Sequence, residues 1–140
     1  MHDAQRASAL QSRKANAEVV EGWRWMSTQS SRTCPACLAM DGSLHPVDEL
    51  GPAGHPNCRC CAVPVTKSWR ALGIDLDEPA DTYQDGRAWF AEQPQSVQVQ
   101  IMGRDRLDRL NSGLLTWDQI PMIRQSPDWR DSVVVRPLAA

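Results

Sequence analysis

The sequence lacks any hydrophobic run that approaches the ~18 residues of a transmembrane helix, so a membrane protein is not expected. It also lacks the charged and then apolar N-terminal stretch of a secretory signal peptide. Internal repeats and low-complexity segments are absent. What remains is a chain of 140 residues, 41% hydrophobic and 23% charged, which is the composition of one ordinary globular domain.

Neither half of the chain carries a large net charge of one sign. Residues 1–70 carry eight Lys/Arg against six Asp/Glu, a net charge of +2, and residues 71–140 carry seven against eleven, a net charge of −4. Neither half is a polybasic surface, so avid nonspecific binding of nucleic acid is not predicted from charge. Five basic residues could form a local strip, although a solvated face is the favoured interpretation: Arg24, Arg32, Arg59, Lys67 and Arg70.

All five cysteines lie between positions 34 and 61, and their odd number does not suit a scaffold in which every cysteine is paired. A Cys-x2-Cys pair is followed, after a loop of 17 residues, by a His-x2-Cys-x-Cys group. Such spacing places soft donors on one metal when the chain turns tightly, as Pro35 and Pro56 favour. The pattern predicts a structural Zn²⁺ site with five candidate ligands for four places: Cys34, Cys37, His55, Cys58 and Cys60.

Three other uses of the cysteines stay open at this point. They could be free thiols in a reducing compartment, or they could form two disulfides with one thiol left over. Cys37 or Cys58 could also be a nucleophile with His45 or His55 as its base, although no third catalytic partner is evident. Cys61 is expected to be a small buried hydrophobic residue rather than a ligand.

Periodicity predicts the secondary structure around this cluster. Residues 3–20 are rich in alanine without Pro or Gly, which predicts an amphipathic helix. Trp23 and Trp25 alternate with polar or flexible residues, which predicts a strand whose tryptophans pack against the module instead of stacking on bases. One turn of helix is expected after Cys34, an edge strand over 62–65 and a short helix over 66–72.

The fold class predicted from these elements is α+β, a small zinc-stapled β-hairpin or knuckle module flanked by helices. The second half is expected to contain a helix that Ser96 caps and a helix over Trp117–Arg124. Residues 133–135 could form a terminal strand or begin an extended arm that reaches Leu138. The chain is therefore expected to divide into four segments: an N-terminal helix (1–21), a zinc-binding module (22–72), an acidic connector (73–95), and a C-terminal helical segment with an extended tail (96–140).

Several short motifs within residues 22–65 carry a family resemblance. They are Gly22-Trp23-Arg24-Trp25, Cys34-Pro35-Ala36-Cys37, Met40-Asp41-Gly42 and His55-Pro56-Asn57-Cys58-Arg59-Cys60. The chain resembles the C-terminal domain of bacteriophage minor head proteins of the Mu F-like family, also described as head morphogenesis proteins. The resemblance covers roughly residues 3–125 and is firmest over 22–65. The His-Pro-Asn-Cys-Arg-Cys element and the preceding Asp-Gly are the most specific of these marks.

The resemblance implies a structural virion component rather than an enzyme. Its expected place is the portal vertex or the capsid interior, after assembly in the host bacterial cytoplasm, with a role in head assembly and in DNA packaging or delivery. The portal protein and the major capsid protein are the implied partners, and packaged DNA is a further candidate. The resemblance also implies that Cys37, His55 and the two cysteines that follow are the common ligands, with Cys34 an additional donor in this chain.

A different class of function is kept as the alternative. A Cys-x2-Cys knuckle with a following histidine also occurs in nucleic-acid-binding modules and in metal-dependent nucleases, where His45 or His55 would be the general base. The sequence contains neither the Asn-His nor the Asp-His dipeptide expected of such a nuclease. A binding module without catalysis would show salt-dependent affinity for DNA.

Overall fold

The computed structural model describes residues 2–140 and mixes helices with strands, which confirms the α+β class. In chain order the elements are α1 (His2–Ala15), β1 (Val20–Met26), α2 (Pro35–Met40), β2 (Leu44–Pro46), β3 (Cys61–Thr66), α3 (Gly86–Ala91), α4 (Gln95–Met102), α5 (Arg104–Asn111), a 3-10 turn (Trp117–Gln119), β4 (Pro121–Arg124) and β5 (Ser132–Val135). Across residues 2–140 the longest helix has 14 residues, and none has the length and hydrophobicity to span a bilayer.

Strand β1 is the centre of an antiparallel sheet in the order β2-β1-β3. Residues two apart on a strand share a face, and Trp23 and Trp25 are both only 1% exposed. The expected packing role of the two tryptophans is therefore confirmed. Pro64 lies in the outer strand β3, where a missing backbone N–H is tolerated, as predicted.

A second core forms where α2 packs against the C-terminal elements. Leu38 is fully buried there together with Phe90, Met102 and Leu107. Packing therefore crosses the segment boundaries predicted from the sequence, since these residues come from three of the four segments. The division of the chain into domains stays a prediction.

Three predictions for residues 1–95 differ from the structure. The first helix ends at Ala15 rather than 20, because the β-branched Val20 joins the sheet opposite Thr66. Thr66 ends β3, and residues 69–73 form a turn, so the helix predicted over 66–72 is absent. The acidic connector contains α3, whose N-cap Asp85 accepts a hydrogen bond from the Ala88 amide.

The C-terminal segment also departs from expectation. Pro121 cannot continue a helix, so residues 117–124 divide into the 3-10 turn and strand β4. Of the two alternatives for residues 133–135, the strand is confirmed: β5 pairs with β4, and Val133 is 5% exposed within the tryptophan core. Gly103 separates α4 from α5, and Ser96 lies inside α4 and does not cap it.

A buried carboxylate fastens the acidic segment to the module. Asp41 is 6% exposed and accepts hydrogen bonds from Ser27 Oγ at 2.9 Å, from Gln29 Nε2 at 3.0 Å and from the Tyr83 hydroxyl. Partial burial and the bond to Asp41 raise the pKa of Tyr83, so the phenol stays protonated as the donor. Tyr83 thereby holds residues near 83 against the turn after α2.

Removing the Tyr83 hydroxyl tests this attachment. We expect Tyr83→Phe to lower the free energy of unfolding by about 1–2 kcal/mol, because a buried carboxylate loses one donor. Urea denaturation measures the change. The neighbouring Thr82 is exposed, so Thr82→Ala should change stability by less than about 0.5 kcal/mol. Equal effects of the two substitutions would show that the hydroxyl contributes nothing specific.

Candidate metal centre

The cysteine and histidine side chains converge from two tight turns. Cys34 is the N-cap of α2, and its Sγ accepts a hydrogen bond from the Cys37 amide at 3.3 Å. In the second turn the Cys58 amide donates to the His55 carbonyl at 3.0 Å, and the Cys60 amide donates to Cys58 Sγ at 3.4 Å. Backbone N–H groups aimed at sulfur stabilise thiolates, the form that binds metals.

All five predicted donors lie in this cluster, in two groups of three that share Cys37. Cys34, Cys37 and His55 form one group, and Cys37, Cys58 and Cys60 form the other, with the ligand atoms of each group within 4.8 Å of one another. Cys37 Sγ is 3.6 Å from His55 Nε2 and 3.6 Å from Cys58 Sγ, and His55 Nε2 is 3.1 Å from Cys34 Sγ. The cluster is close enough to bind a metal ion.

A tetrahedral Zn²⁺ site requires ligand atoms at defined separations from one another. Zn–S bonds of about 2.3 Å and Zn–N bonds of about 2.0 Å place neighbouring ligand atoms about 3.5–3.8 Å apart. The two 3.6 Å separations from Cys37 Sγ fall in this range. Cys37 and Cys58 are buried, which limits the access of water. Thiolate and imidazole donors in a small buried space therefore suit a soft or borderline metal.

Hydrogen bonds within the cluster shift the pKa values of its thiols in different directions. Hydrogen bonding from Cys37 lowers the pKa of Cys34 to about 6, and it also lowers the pKa of Cys58. The pKa of Cys37 is raised, because its proton is shared with both of these sulfurs. Burial lowers the pKa of His55, but the contact with the Pro56 carbonyl and the charges of Cys34 and Cys58 outweigh it, so the pKa is raised. Cys34 and Cys58 are thus the thiols of the cluster that lose their protons most readily.

Residues 1–63 match the family described as "Phage Mu protein F like protein". This segment is similar to the Mu F-like phage head morphogenesis proteins. No curated protein and no solved structure gives a significant match to the chain.

The Mu F-like segment contains every candidate donor. It spans α1, the tryptophan strand β1, both turns of the cluster and the start of β3. The resemblance seen from the short motifs is therefore confirmed. The similarity to phage head proteins is consistent with a virion location.

Cys61 and His45 are near the cluster in sequence but belong to neither donor group. Cys61 is exposed, so the prediction that it would be buried is wrong: its side chain leaves the cluster where β3 begins at the sheet edge. His45 lies outside both donor groups. It stacks on Trp23 with ring centroids 4.1 Å apart and bonds to Ser43 Oγ and Glu49 Oε1, at 2.8 and 3.0 Å.

The disulfide alternative is not realised in the structure. All five cysteines are free, and the 3.6 Å between Cys37 Sγ and Cys58 Sγ is far longer than the about 2.05 Å of an S–S bond. Free thiols held at this distance remain available to a metal.

Sequence reasoning missed Gly54 as a part of the site. A Cβ atom at position 54 would lie 2.7 Å from Cys58 Cβ and nearer still to its sulfur, so only glycine lets the two strands of the turn approach. A glycine directly before a candidate ligand was the available indication. Because Gly54 has no side chain, Cys58 can occupy its place in the cluster.

Gly54→Ala is therefore expected to displace Cys58. We predict a loss of about 1–3 kcal/mol in the free energy of unfolding, typical of overpacking, and a weaker affinity for Zn²⁺ in competition with a chromophoric chelator. Gly73→Ala is the control, because position 73 has φ +81° but nothing within 4 Å of an added Cβ. It should lower stability by about 1–2 kcal/mol through the backbone and leave metal affinity unchanged. Unchanged metal affinity in Gly54→Ala would contradict the steric role.

Proposed function

We propose that this chain is a structural minor capsid protein of a tailed bacteriophage. It acts at the portal vertex or the capsid interior, in head assembly and in DNA packaging or delivery, without an enzymatic activity of its own. The observation that carries the proposal is the Mu F-like match over residues 1–63, which coincides with the tryptophan sheet and the donor cluster. Partners on this proposal are the portal protein and the major capsid protein.

The metal proposed for the cluster is a structural Zn²⁺. Its ligands are four of the five clustered donors, with Cys37 common to both groups and Cys34, His55, Cys58 and Cys60 the others. Zinc supplies folding energy at such a site, because thiolates that repel one another are held by one cation. The chain itself orients the sulfurs, because backbone N–H groups donate hydrogen bonds to Cys34 Sγ and Cys58 Sγ. Burial of the cluster also excludes water.

Elemental analysis tests the zinc proposal directly. Protein purified without added metal should contain about one zinc per chain, and chelation should remove it together with the cooperative unfolding transition. A chain that holds no zinc and still unfolds cooperatively would contradict the proposal. Because this measurement needs no phage component, it is independent of the assembly role.

The assembly role is tested with the head itself. The chain should co-purify with portal protein or with procapsids when they are co-expressed, and a density map of the particle should place it at the portal vertex or on the inner capsid surface. A chain that stays monomeric and shows no affinity for portal protein, major capsid protein or procapsids would overturn the role, even if zinc is present.

A nucleic-acid-binding module is the second candidate, because two arginines at the cluster are unpaired. Arg32 and Arg59 line a cavity of about 120 Å³ beside the donors, and neither forms an ion pair with any residue in the described range 2–140. Arg70, by contrast, pairs with Asp75 and Asp77. The free guanidinium groups are suited to phosphate.

Salt dependence separates this candidate from the first. If DNA binds at the cluster, the logarithm of affinity should fall linearly with the logarithm of salt concentration, and Arg59→Gln should reduce the slope by about 1. Arg70→Gln is the control of equal charge change, at a side chain already neutralised. Equal slopes for the unaltered chain and Arg59→Gln would exclude DNA binding through the cluster.

A further inference from the structure

The donor cluster has five ligand atoms, whereas one tetrahedral ion uses four. Its two groups of three meet only at Cys37, and the ligand atoms of each group lie within 4.8 Å of one another. Within residues 2–140 no set of four donors satisfies that separation. An ion placed in either group therefore finds three protein donors as the side chains stand.

A group of three donors suits some metal ions better than others. Zn²⁺ at a structural site is almost always four-coordinate, so in one group it would have to draw in a further side chain or take up a water molecule. Cys37 and Cys58 are buried, which disfavours water at the centre. Cu(I) is a soft ion that thiolates select, and it forms stable complexes with three ligands in a plane. The number of donors in each group therefore matches Cu(I).

Cys37 is placed to serve both groups at once. A thiolate sulfur has several lone pairs, so it can bridge two metal ions. Cys37 Sγ lies 3.6 Å from His55 Nε2 in the first group and 3.6 Å from Cys58 Sγ in the second, so it is equally close to a donor of each. Two ions that share this sulfur would lie side by side. One would have two sulfur ligands and one nitrogen ligand, and the other would have three sulfur ligands.

The surroundings of the cluster can accept the charge of such a centre. Four thiolates and two Cu(I) ions leave two negative charges in excess. Arg32 and Arg59 line the cavity of about 120 Å³ beside the donors, and neither forms an ion pair in the described range 2–140. Arg6 and Arg130, which share the carboxylate of Asp3, line a second cavity of about 360 Å³ that borders the second group of donors. Cationic side chains near thiolates stabilise their anionic form, so the excess charge is offset.

We propose that the cluster binds two Cu(I) ions that share Cys37 as a bridging thiolate. Each ion is completed by two further donors: Cys34 and His55 for the first, Cys58 and Cys60 for the second. Binding releases the thiol protons to solvent and changes no oxidation state. The inference rests on the donor cluster of the proposed function, and it gives that cluster a second metal load, which excludes zinc while copper is bound.

Anaerobic titration of the full chain with Cu(I) tests the number of ions. The protein is used as purified, a chromophoric Cu(I) chelator competes for the metal, and a separate indicator measures any zinc that is released. We expect about two Cu(I) per chain, and about two for each zinc ion displaced. X-ray absorption of the product should show Cu–S bonds, Cu–N bonds and a Cu–Cu contact, because the two ions share one sulfur. A centre with a single ion has no Cu–Cu contact.

Three serine variants assign the two ions to their groups. Cys34→Ser leaves the second group intact, so it should bind about one Cu(I) and lose both the Cu–N and the Cu–Cu signals. Cys60→Ser leaves the first group intact, so it should also bind about one Cu(I) but keep the Cu–N signal. Cys61→Ser is the matched control and should still bind two, since Cys61 is exposed and outside both groups.

The unaltered chain decides the proposal even where a variant fails to fold. One Cu(I) per chain, no Cu(I), or two without a Cu–Cu contact would overturn it. An unchanged count in both Cys34→Ser and Cys60→Ser, or a lower count in Cys61→Ser, would do the same. If the purified chain contains zinc, these results leave the zinc proposal standing. A chain purified without zinc that binds two Cu(I) in contact would support the copper centre and contradict the structural zinc.

Discussion

Replacing Cys37 by serine is expected to abolish stoichiometric zinc binding and the cooperative unfolding of residues 22–65. Cys37 is only 3% exposed and is the donor shared by both groups, so its loss leaves Cys34 with His55 and Cys58 with Cys60 as two separate pairs. A serine hydroxyl stays protonated at neutral pH and is a poor zinc ligand. The loss should exceed ~4 kcal/mol, the size associated with removal of a structural metal. Zinc content and urea denaturation monitored by tryptophan fluorescence measure it.

Cys61→Ser is the matched control for this prediction. Cys61 is the same residue type at the edge of the same module, but it is exposed and lies outside both donor groups. Its substitution should leave zinc content unchanged and alter stability by less than about 0.5 kcal/mol. If both serine variants behave alike, the cluster is not the source of the module's stability.

Trp23→Ala is expected to have an effect of similar size through packing. Trp23 is 1% exposed, stacks on His45, and donates from Nε1 to the Glu49 carbonyl at 3.1 Å. The guanidinium of Arg13 lies 5.5 Å from its ring, so the side chain also fixes α1 on the sheet. Removing it leaves a large cavity and takes one of two donors from the Glu49 carbonyl, which together should cost about 4–5 kcal/mol.

Thermal and urea unfolding of Trp23→Ala measure this cost, with Trp129→Ala as control. Trp129 is 47% exposed, so its removal should change the free energy of unfolding by less than about 1 kcal/mol. In Trp23→Ala the amide protons of α1 should also exchange faster, because Arg13 loses the surface it packs on. Undiminished protection of α1 would show that the helix is held by other contacts.

Cysteine spacing was the most informative feature of the sequence. Tight turns act over three or four residues, so Cys34 with Cys37 and His55 with Cys58 could be assigned to one cluster without knowledge of the fold. The turn of helix after Cys34 and the period-two pattern of the tryptophan strand were predictable for the same local reason. Which donors form which group was not, because the approach of the two turns depends on Gly54.

Long-range packing decided what local pattern could not. The alanine-rich pattern favoured helix up to residue 20, yet pairing with Thr66 takes Val20 into the sheet, since propensity differences are smaller than the gain from joining a buried sheet. The same holds for the valines at 133–135, whose burial depends on β4 and on the tryptophan core. Neither partner is near enough in sequence for periodicity to show it.

By itself the sequence determined the donor types, their spacing and the Mu F-like character of residues 1–63, because these depend on side-chain chemistry and on short turns. Only the tertiary structure brought Arg6 and Arg130 to one cavity and paired Arg130 with Asp3, 127 residues away in sequence. Charges so far apart along the chain carry no mutual pattern, and their contact exists only once α1 and the C-terminal segment pack beside the donor loop.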